Sequence, residues 1–456
     1  MSAFSRLSGR IFNLAWPVLI AQMISVGMMA ADTLIVGHFS TRHLAAVAVA
    51  SGLYITVALA LGGVLQALAP IIGQHWGAGE TRRIGADLRQ GLWLAGFLAL
   101  GGLLLLHGFA REMIAPARLD PDIERIAEDY LRLLAFALPA TLGYRAFHAA
   151  ATALGQPRPL MIIACVETAA HALLAWLLVG GHLFFPPLGA LGAAGSQVLV
   201  TLISLAISFW LLLKHPHFAP YDIFSAWEKP DWRAQKELLR LGVPMGFSYL
   251  VEISAFTLMA IFIARLGSDV VSGHRIAANL AAFVYMLPLS LAIATATLVA
   301  QAVGAGREDQ ARASARAGVA LASFCAVAVA ALLLCLTLPI VRLATGDPQV
   351  AGIAAGLIFY ITLYQFFDAI QTAACFALRA YKVSFLPLLI HLLCFWGLGL
   401  GLGYWLAFFA ATPQGAAGFW QASVAATIVA ALLLGGLLLW VMRTRHEDKP
   451  ARAREQ

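Results

Sequence analysis

Long apolar stretches recur along the whole sequence, and they constrain the fold more than any other feature. Most of them reach about 20 residues, and a stretch of 18 or more apolar residues can cross a bilayer as a helix. Only 12% of the 456 residues are charged, whereas an ordinary soluble domain carries about 25%. The sequence therefore predicts an all-α integral membrane protein and excludes a soluble enzyme with a large core.

The apolar stretches predict twelve transmembrane helices. Their ranges are 11–36, 48–73, 90–108, 129–153, 160–181, 189–213, 238–264, 276–302, 314–338, 351–377, 385–408 and 418–442.

Basic residues are unevenly distributed between the predicted loops. Most of the 30 Lys and Arg residues fall on one side of the membrane if both termini share that side. Because cytoplasmic loops carry an excess of Lys and Arg, we expect both termini in the cytoplasm. The expected location is a bacterial inner (plasma) membrane. This distribution accounts for the net charge of +7, so we expect no nucleic-acid partner.

The sequence repeats itself at a nearly constant spacing. Pro17 and Pro244 each lie near the start of a long apolar stretch, and they are 227 residues apart. The segments 74–79 (QHWGAG) and 301–306 (QAVGAG) have the same spacing, and we expect both to form turns at helix ends. A common spacing of this kind indicates an internal duplication.

The duplication predicts two parallel six-helix halves. They span 1–213 and 238–442, with a polar linker at 214–237 and a cytoplasmic polar tail at 443–456. Because six is an even number, both halves enter the membrane from the same side. Parallel repeats around a central substrate path are a transporter architecture.

Three acidic side chains inside predicted spans are the main candidates for a functional site. Glu252 and Asp368 lie near span centres, where a charge costs about 2.5–3.5 kcal/mol on insertion scales. Tyr364 lies one helical turn before Asp368, so the pair could supply oxygen ligands for Na⁺ or a proton site. Asp32 lies near the outer end of the first span. The alternative is structural: a neutral buried acid, a polar seam between helices or, for Asp32, a solvated helix end.

The acids are not repeated in the two halves. At a spacing of 227, Glu252 corresponds to Ser25. At a spacing of 224, which matches the alanine-rich parts of the fourth and tenth spans, Asp368 corresponds to Tyr144. A packing role common to both halves would tend to recur, so the acids indicate additions to a shared scaffold.

Several weaker polar positions are expected to be structural. Glu167 and His171 are four residues apart in the fifth span and are expected to pair with each other. Arg145 could neutralise an acid, and His391 is expected to pack against its neighbours.

Sequence motifs of enzymes are absent. The chain has no P-loop, no H-E-x-x-H, no G-x-S-x-G and no dinucleotide fingerprint. The five cysteines occur singly in apolar stretches and form no C-x-x-C pair. We therefore expect no enzyme activity and no cofactor other than a coupling ion.

Five segments together resemble the multidrug and toxic compound extrusion (MATE) family, and above all its NorM branch. They are AWPVLIAQMISVGMMAADTLIVGHFS, QHWGAGE, YLVEISAFTLMAIFIARLG, AANLAAFVYMLPLSLAIATATLVAQAVGAG and LYQFFDAIQTAACFALRAYK. The resemblance covers nearly the whole chain.

The resemblance implies a secondary active exporter of cationic, amphiphilic drugs that takes up Na⁺ or H⁺ in exchange and works as a monomer in the lipid bilayer. By position, Glu252, Asp368 and Tyr364 would bind the coupling cation, and Asp32 would be an acid linked to protonation in the N-terminal half. The resemblance and the spans give these candidates for the substrate cavity: Phe256, Met259, Phe367, Gln371 and Asn279.

The sequence departs from the family pattern at three positions. His171 and Ala175 stand where NorM-like chains often carry asparagines, and Arg275 stands where a glutamine is common. The polar network of the N-terminal half is therefore expected to differ. A flippase for lipid-linked saccharides or a polysaccharide exporter is the alternative function, and a channel or a membrane scaffold is a third. The sequence leaves Na⁺ and H⁺ coupling equally open.

Overall fold

The structure is a computed structural model that describes residues 3–183, 185–224 and 228–452, and it is helical almost throughout these ranges. The helices are α1 (Ala3–Phe39), α2 (Thr41–Leu65), α3 (Leu68–Gly77), α4 (Thr81–Gly108), α5 (Ala110–Ile114), α6 (Pro121–Ala135), α7 (Leu138–Ala153), α8 (Arg158–Gly180), α9 (Ala190–Lys214), α10 (Trp232–Ile263), α11 (Ser268–Gly304), α12 (Glu308–Ala344), α13 (Pro348–Ala380), α14 (Phe385–His391), α15 (Gly403–Phe408) and α16 (Ala416–Arg452). A π-helical segment, Leu392–Leu402, joins α14 to α15.

Membrane-spanning helices dominate the part of the chain that the structure describes. Eleven helices there are long and apolar enough to cross a bilayer. The predicted all-α integral membrane fold is therefore confirmed. The number of twelve spans and the cytoplasmic placement of both termini stay predictions.

The predicted fourth span is interrupted rather than continuous. α6 ends at Ala135, and α7 begins at Leu138. Pro139 explains the interruption, because it has no N–H and its ring would clash with the carbonyl group four residues earlier, on Ala135. The N–H groups of Phe136 and Ala137 instead bond to carbonyls three residues back, at 3.2 and 2.9 Å. The expectation of one helix over 129–153 is thus corrected to two.

The chain divides into two compact units. The N-terminal unit comprises Pro17–Gly246, and the C-terminal unit comprises Met1–Trp16 with Phe247–Gln456. The start of α1 therefore belongs to the C-terminal unit, and the start of α10 belongs to the N-terminal unit. The predicted boundaries at 213 and 238 stay a prediction.

The N-terminal unit has one large apolar core. Leu65, Leu68 and Phe147 are almost completely buried within it. The start of α10 approaches α2 very closely, because a Cβ atom at Gly242 would lie 2.1 Å from the Val64 carbonyl oxygen. Only glycine permits this backbone contact.

The C-terminal unit has several smaller apolar clusters. In one of them, Ile11 and Ala15 from the start of α1 pack with Leu291 and Ala294 of α11. In another, Phe419 and Trp420 of α16 are fully buried. The first cluster explains why sixteen residues at the chain start belong to this unit.

The turns that end equivalent helices preserve the repeat. Gly79 and Gly306 adopt left-handed φ angles of 75° and 68°, as turn glycines do. Gly155 and Lys382 end α7 and α13 in the same way, with φ angles of 70° and 61°. Since these two residues are also 227 apart, the expected spacing of 224 is corrected to 227 here. Alanine is so frequent in these two helices that an alignment shifted by three residues still matches. This explains why the sequence suggested a spacing of 224. Asp368 therefore corresponds to Thr141.

The linker is fastened to α4 by hydrogen bonds. Arg89 is buried, and its guanidinium group donates to the Glu228 carboxylate at 2.8 Å and to the Ile223 carbonyl at 3.2 Å. Gln90 donates to the Lys229 carbonyl at 3.1 Å. The described parts of the linker are therefore a docked segment of the N-terminal unit.

Gly85→Ala should detach part of the linker. A Cβ atom at position 85 would lie 2.2 Å from the Tyr221 carbonyl oxygen, so one backbone segment must move. Overpacking of this kind costs about 1–3 kcal/mol, and we expect a lower melting temperature and faster proteolysis within the linker. Gly96→Ala on the same helix is the control, because a Cβ atom there meets nothing within 4 Å. Equal cleavage rates in both variants would contradict the expectation.

Candidate functional site

Two acids of the C-terminal unit lie close enough for their charges to interact. Glu252 is on α10, and Asp368 is on α13, where only 1% of its surface is exposed. No residue within the described ranges donates a hydrogen bond to the half-buried Glu252 carboxylate. Asp368 is therefore held by neighbouring side chains, whereas the carboxylate oxygens of Glu252 accept no hydrogen bond from the described residues.

Asp368 is held by side chains of its own helix. The Gln371 amide donates to its carboxylate at 2.9 Å, and the Tyr364 phenol approaches it from one turn before. The same Gln371 amide nitrogen lies 3.2 Å from the Thr372 hydroxyl. The predicted stripe of polar residues on α13 thus surrounds a single carboxylate.

Sequence reasoning missed two further residues beside these acids. The Tyr285 phenol of α11 interacts with the charges of both acids, and it contacts the Thr372 hydroxyl. Arg379 is buried, and its charge acts on Glu252. It lies eleven residues, or about three helical turns, after Asp368, so the helical period could have indicated a shared face.

Arg379 is held in place by aromatic rings. Its guanidinium carbon lies 5.2 Å from the centre of the Tyr249 ring and 4.6 Å from that of Phe376. It also donates a long hydrogen bond, 3.4 Å, to the Tyr249 hydroxyl. The cation–π contacts fix a positive charge near the acids without an ion pair to either of them.

An aromatic cluster adjoins the acids. Phe256 contacts Tyr364 edge to face, with ring centres 5.9 Å apart, and both pack with Met259 and Trp420. Met259 is only 3% exposed. Phe367 is half-buried against Phe366, and Asn279 is exposed; the assignment of both to the substrate cavity stays a prediction. Gln371 lies at the acids, as described above.

The N-terminal unit contains a separate polar chain. The Asp32 carboxylate lies 2.6 Å from Nε2 of His171, which is fully buried. Nδ1 of the same ring lies 3.2 Å from the Ser196 hydroxyl, which in turn donates to the Ala193 carbonyl at 2.8 Å. The chain links α1, α8 and α9.

His171 pairs with Asp32 and not with Glu167. The expected pairing within α8 is thus corrected, because both ring nitrogens point to other helices. Glu167 stays within electrostatic range of His171 and Arg145. Ala175, one turn after His171, is buried and apolar, so it adds no polar group to this network.

The acids can bind a monovalent cation by their chemistry. Carboxylate and phenol oxygens are hard ligands that suit Na⁺, and a carboxylate also takes up a proton. In the described ranges, no cluster of three or more His, Cys, Asp or Glu residues could hold a transition metal. Such a ligand set would suit a reversible cation site, and its occupation by a cation stays a prediction. Arg275 is exposed.

Comparison with known proteins identifies the family. The model of the MatE family matches residues 17–177 and again 244–405. The two matched segments begin 227 residues apart, which is the spacing of the internal repeat.

Full-length relatives are similar along nearly the whole chain. A probable multidrug resistance protein NorM of Aromatoleum aromaticum is 48% identical over 96% of this chain and 95% of its own. A protein of the same name from Chromobacterium violaceum is 35% identical over 96% of this chain and 95% of its own.

Solved structures share the fold at low identity. The eukaryotic MATE transporter AtDTX14 superimposes with a TM-score of 0.87 at 19% identity, over 98% of this chain and 100% of its own. An outward-facing multidrug resistance MATE family transporter gives a TM-score of 0.86 at 18% identity, over 98% of both chains.

Asp32 and His171 should stabilise the N-terminal unit as a pair. Asp32→Asn removes the charge of the acceptor and His171→Leu removes the imidazole, so each should lower stability by about 1–3 kcal/mol. The double variant should cost little more than either single variant, measured as thermal unfolding in detergent.

Asp32→Asn combined with Ser25→Ala is the control for this pair. Among the residues that the structure describes, the Ser25 hydroxyl bonds only to the Ala21 carbonyl of its own helix, at 3.0 Å, so these two costs should add. Additive costs for Asp32→Asn and His171→Leu would show that the pair is not coupled.

Proposed function

Because the chain belongs to the MatE family of membrane transporters, we propose that it exports cationic, amphiphilic drugs in exchange for inward Na⁺ or H⁺. The names of its relatives, probable multidrug resistance proteins, support drugs as the cargo. The proposed coupling ion rests on the acids of the C-terminal unit and not on those names.

The open carboxylate of Glu252 beside Asp368 is the observation that carries this proposal. Two carboxylates inside a bilayer are costly unless a positive charge compensates them. A sodium ion, a proton or a cationic drug can each supply that charge at the same atoms. Competition for one site couples the two fluxes, because the site releases the drug when the ion enters.

The membrane potential favours the proposed direction of ion movement. Each positive charge that moves inward gains about 2.3 kcal/mol per 100 mV. When the site opens to the cytoplasm and loses the ion, its acids attract the drug cation. The half-buried ring of Phe256, which packs on the buried Trp420, offers an apolar surface to the rest of the drug.

The membrane setting of the proposal follows from the fold and from the basic loops. The protein is a multi-pass membrane protein. We propose that it works as a monomer in the bacterial inner membrane, with both termini in the cytoplasm. An anionic, lipid-linked saccharide is a poorer cargo, because two acids outnumber the one arginine beside them.

Glu252→Gln and Asp368→Asn should each abolish ion-driven export. Both variants keep the side-chain volume and remove the charge that binds the cation, so ethidium efflux should fall roughly tenfold or more. The measurement is dye transport in proteoliposomes, with a Na⁺ gradient and a pH gradient imposed separately. The gradient that drives the wild-type protein identifies the coupling ion.

Asp309→Asn is the matched control for these variants. Its side chain is 86% exposed at the start of α12, so efflux should stay at the wild-type rate. Undiminished efflux by both Glu252→Gln and Asp368→Asn would refute the proposed site. Efflux driven by neither gradient would refute the proposed coupling.

A further inference from the structure

A histidine from a neighbouring helix touches the amide that holds Asp368. His391 ends α14, and its Nε2 lies 3.1 Å from the Gln371 side-chain oxygen. The nitrogen of the same amide donates to Asp368 at 2.9 Å. A chain of two hydrogen bonds therefore connects His391 to the carboxylate.

The chemistry of this chain fixes each donor. An ionised carboxylate only accepts hydrogen bonds, so the Gln371 nitrogen must face Asp368. The amide oxygen then faces His391, and this oxygen also only accepts. While Asp368 is ionised, His391 must therefore carry its proton on Nε2, since no other arrangement then satisfies both contacts.

The other ring nitrogen of His391 has no partner among the described residues. Nδ1 is buried, and the whole residue is only 4% exposed. A buried polar atom without a hydrogen bond destabilises a fold, and an apolar side chain would avoid this cost. The hydrogen bond from Nε2–H to Gln371 therefore explains why a histidine stands here, and His391 does more than pack against its neighbours.

The segment that follows His391 also contacts α10, the helix that carries Glu252. The π-helical segment Leu392–Leu402 starts at the next residue, and π-helical turns are frequent at functional sites. Within this segment, the Trp396 indole N–H lies 3.2 Å from the Val251 carbonyl and 3.1 Å from the Ser254 hydroxyl. These two residues flank Glu252 on α10, so one segment is fastened beside both acids.

We propose that His391 is a positioning residue of the cation site, and that it orients Asp368 through the Gln371 amide. The inference rests on the proposed function, since it assumes that Asp368 binds the transported cation. Without the Nε2 proton, the amide is free to rotate and to present its oxygen to the carboxylate. Two facing oxygen acceptors repel each other, so the carboxylate would lose its ligand geometry.

Three substitutions separate this role from packing. His391→Gln places an amide nitrogen near the position of Nε2 and keeps a donor to Gln371. His391→Asn places its polar atoms near the position of Nδ1, and His391→Leu keeps only apolar volume. Positioning predicts that the glutamine variant keeps most of the ion affinity and that the other two lose it.

The readout is stabilisation of the full-length protein by the ion itself. Ions that bind the folded state raise the melting temperature, and the ion concentration at half of this rise gives an apparent affinity. Na⁺ titrations at fixed pH, and pH titrations without Na⁺, cover both coupling ions. His391→Leu and His391→Asn should weaken the affinity about tenfold, the ratio expected when one hydrogen bond to a charged group is lost.

His274→Gln is the control for the loss of a buried imidazole. His274 is 3% exposed in the same unit, but its ring accepts from the Trp420 indole at 3.3 Å and touches no member of the chain to Asp368. This variant should lower the melting temperature without ions and leave the apparent ion affinity unchanged.

The outcomes distinguish this inference from the proposed function. Equal ion affinities in the wild-type protein, His391→Leu and His391→Gln would overturn the positioning role and leave the cation site intact. Equal losses in His391→Leu and His391→Gln would also overturn it, because volume and not the donor would then matter. If neither Na⁺ nor protons stabilise the wild-type protein, the proposed cation site itself fails.

Discussion

The burial of two carboxylates in the C-terminal unit is the constraint on which the site depends. A bilayer offers no water to compensate their charges, so the protein must supply the compensation or bind it. Asp368 receives a hydrogen bond from Gln371, whereas Glu252 receives none from the described residues. The two acids are therefore not equivalent: Asp368 is held in one position, and under the proposed function Glu252 is the acid that depends on a bound cation.

The duplication explains the helical fold that the two units share, but it does not explain where their charged residues lie. Turns at equivalent positions keep a spacing of 227, and this spacing places Ser25 at the position of Glu252 and Thr141 at that of Asp368. Neither counterpart carries a charge. The N-terminal unit instead has Asp32, whose partner His171 comes from another helix. Each unit thus has its own set of polar residues within the same type of helical fold. A substitution in one set therefore need not impair the other.

Features that are local in the sequence could be predicted, and contacts between helices could not. A single acidic residue in an apolar stretch is conspicuous in the sequence, so Glu252, Asp368 and Asp32 could be predicted as candidate site residues. Tyr364 and Gln371 lie on the same helix as Asp368 and could also be predicted. The partner of Asp32 depends on which helical faces meet, since Asp32 and His171 are 139 residues apart. The interruption before Leu138 had a local signal, Pro139, but the apolar composition concealed it. Arg379 lies two residues beyond the predicted span 351–377, but α13 continues to Ala380 and brings the arginine near the acids.

The charge of Arg379 limits how many cations the site needs. When both acids are ionised, two negative charges and the one positive charge of Arg379 leave a net charge of −1 in the group. One Na⁺, one proton or one monovalent drug cation restores neutrality, and a second would leave an excess positive charge in a medium that penalises it. Under the proposed function, ion and drug therefore exclude each other by charge as well as by volume. The cation–π contacts of Arg379 with Tyr249 and Phe376 keep this limit in force, because they hold the arginine near the acids without letting it neutralise Glu252 directly.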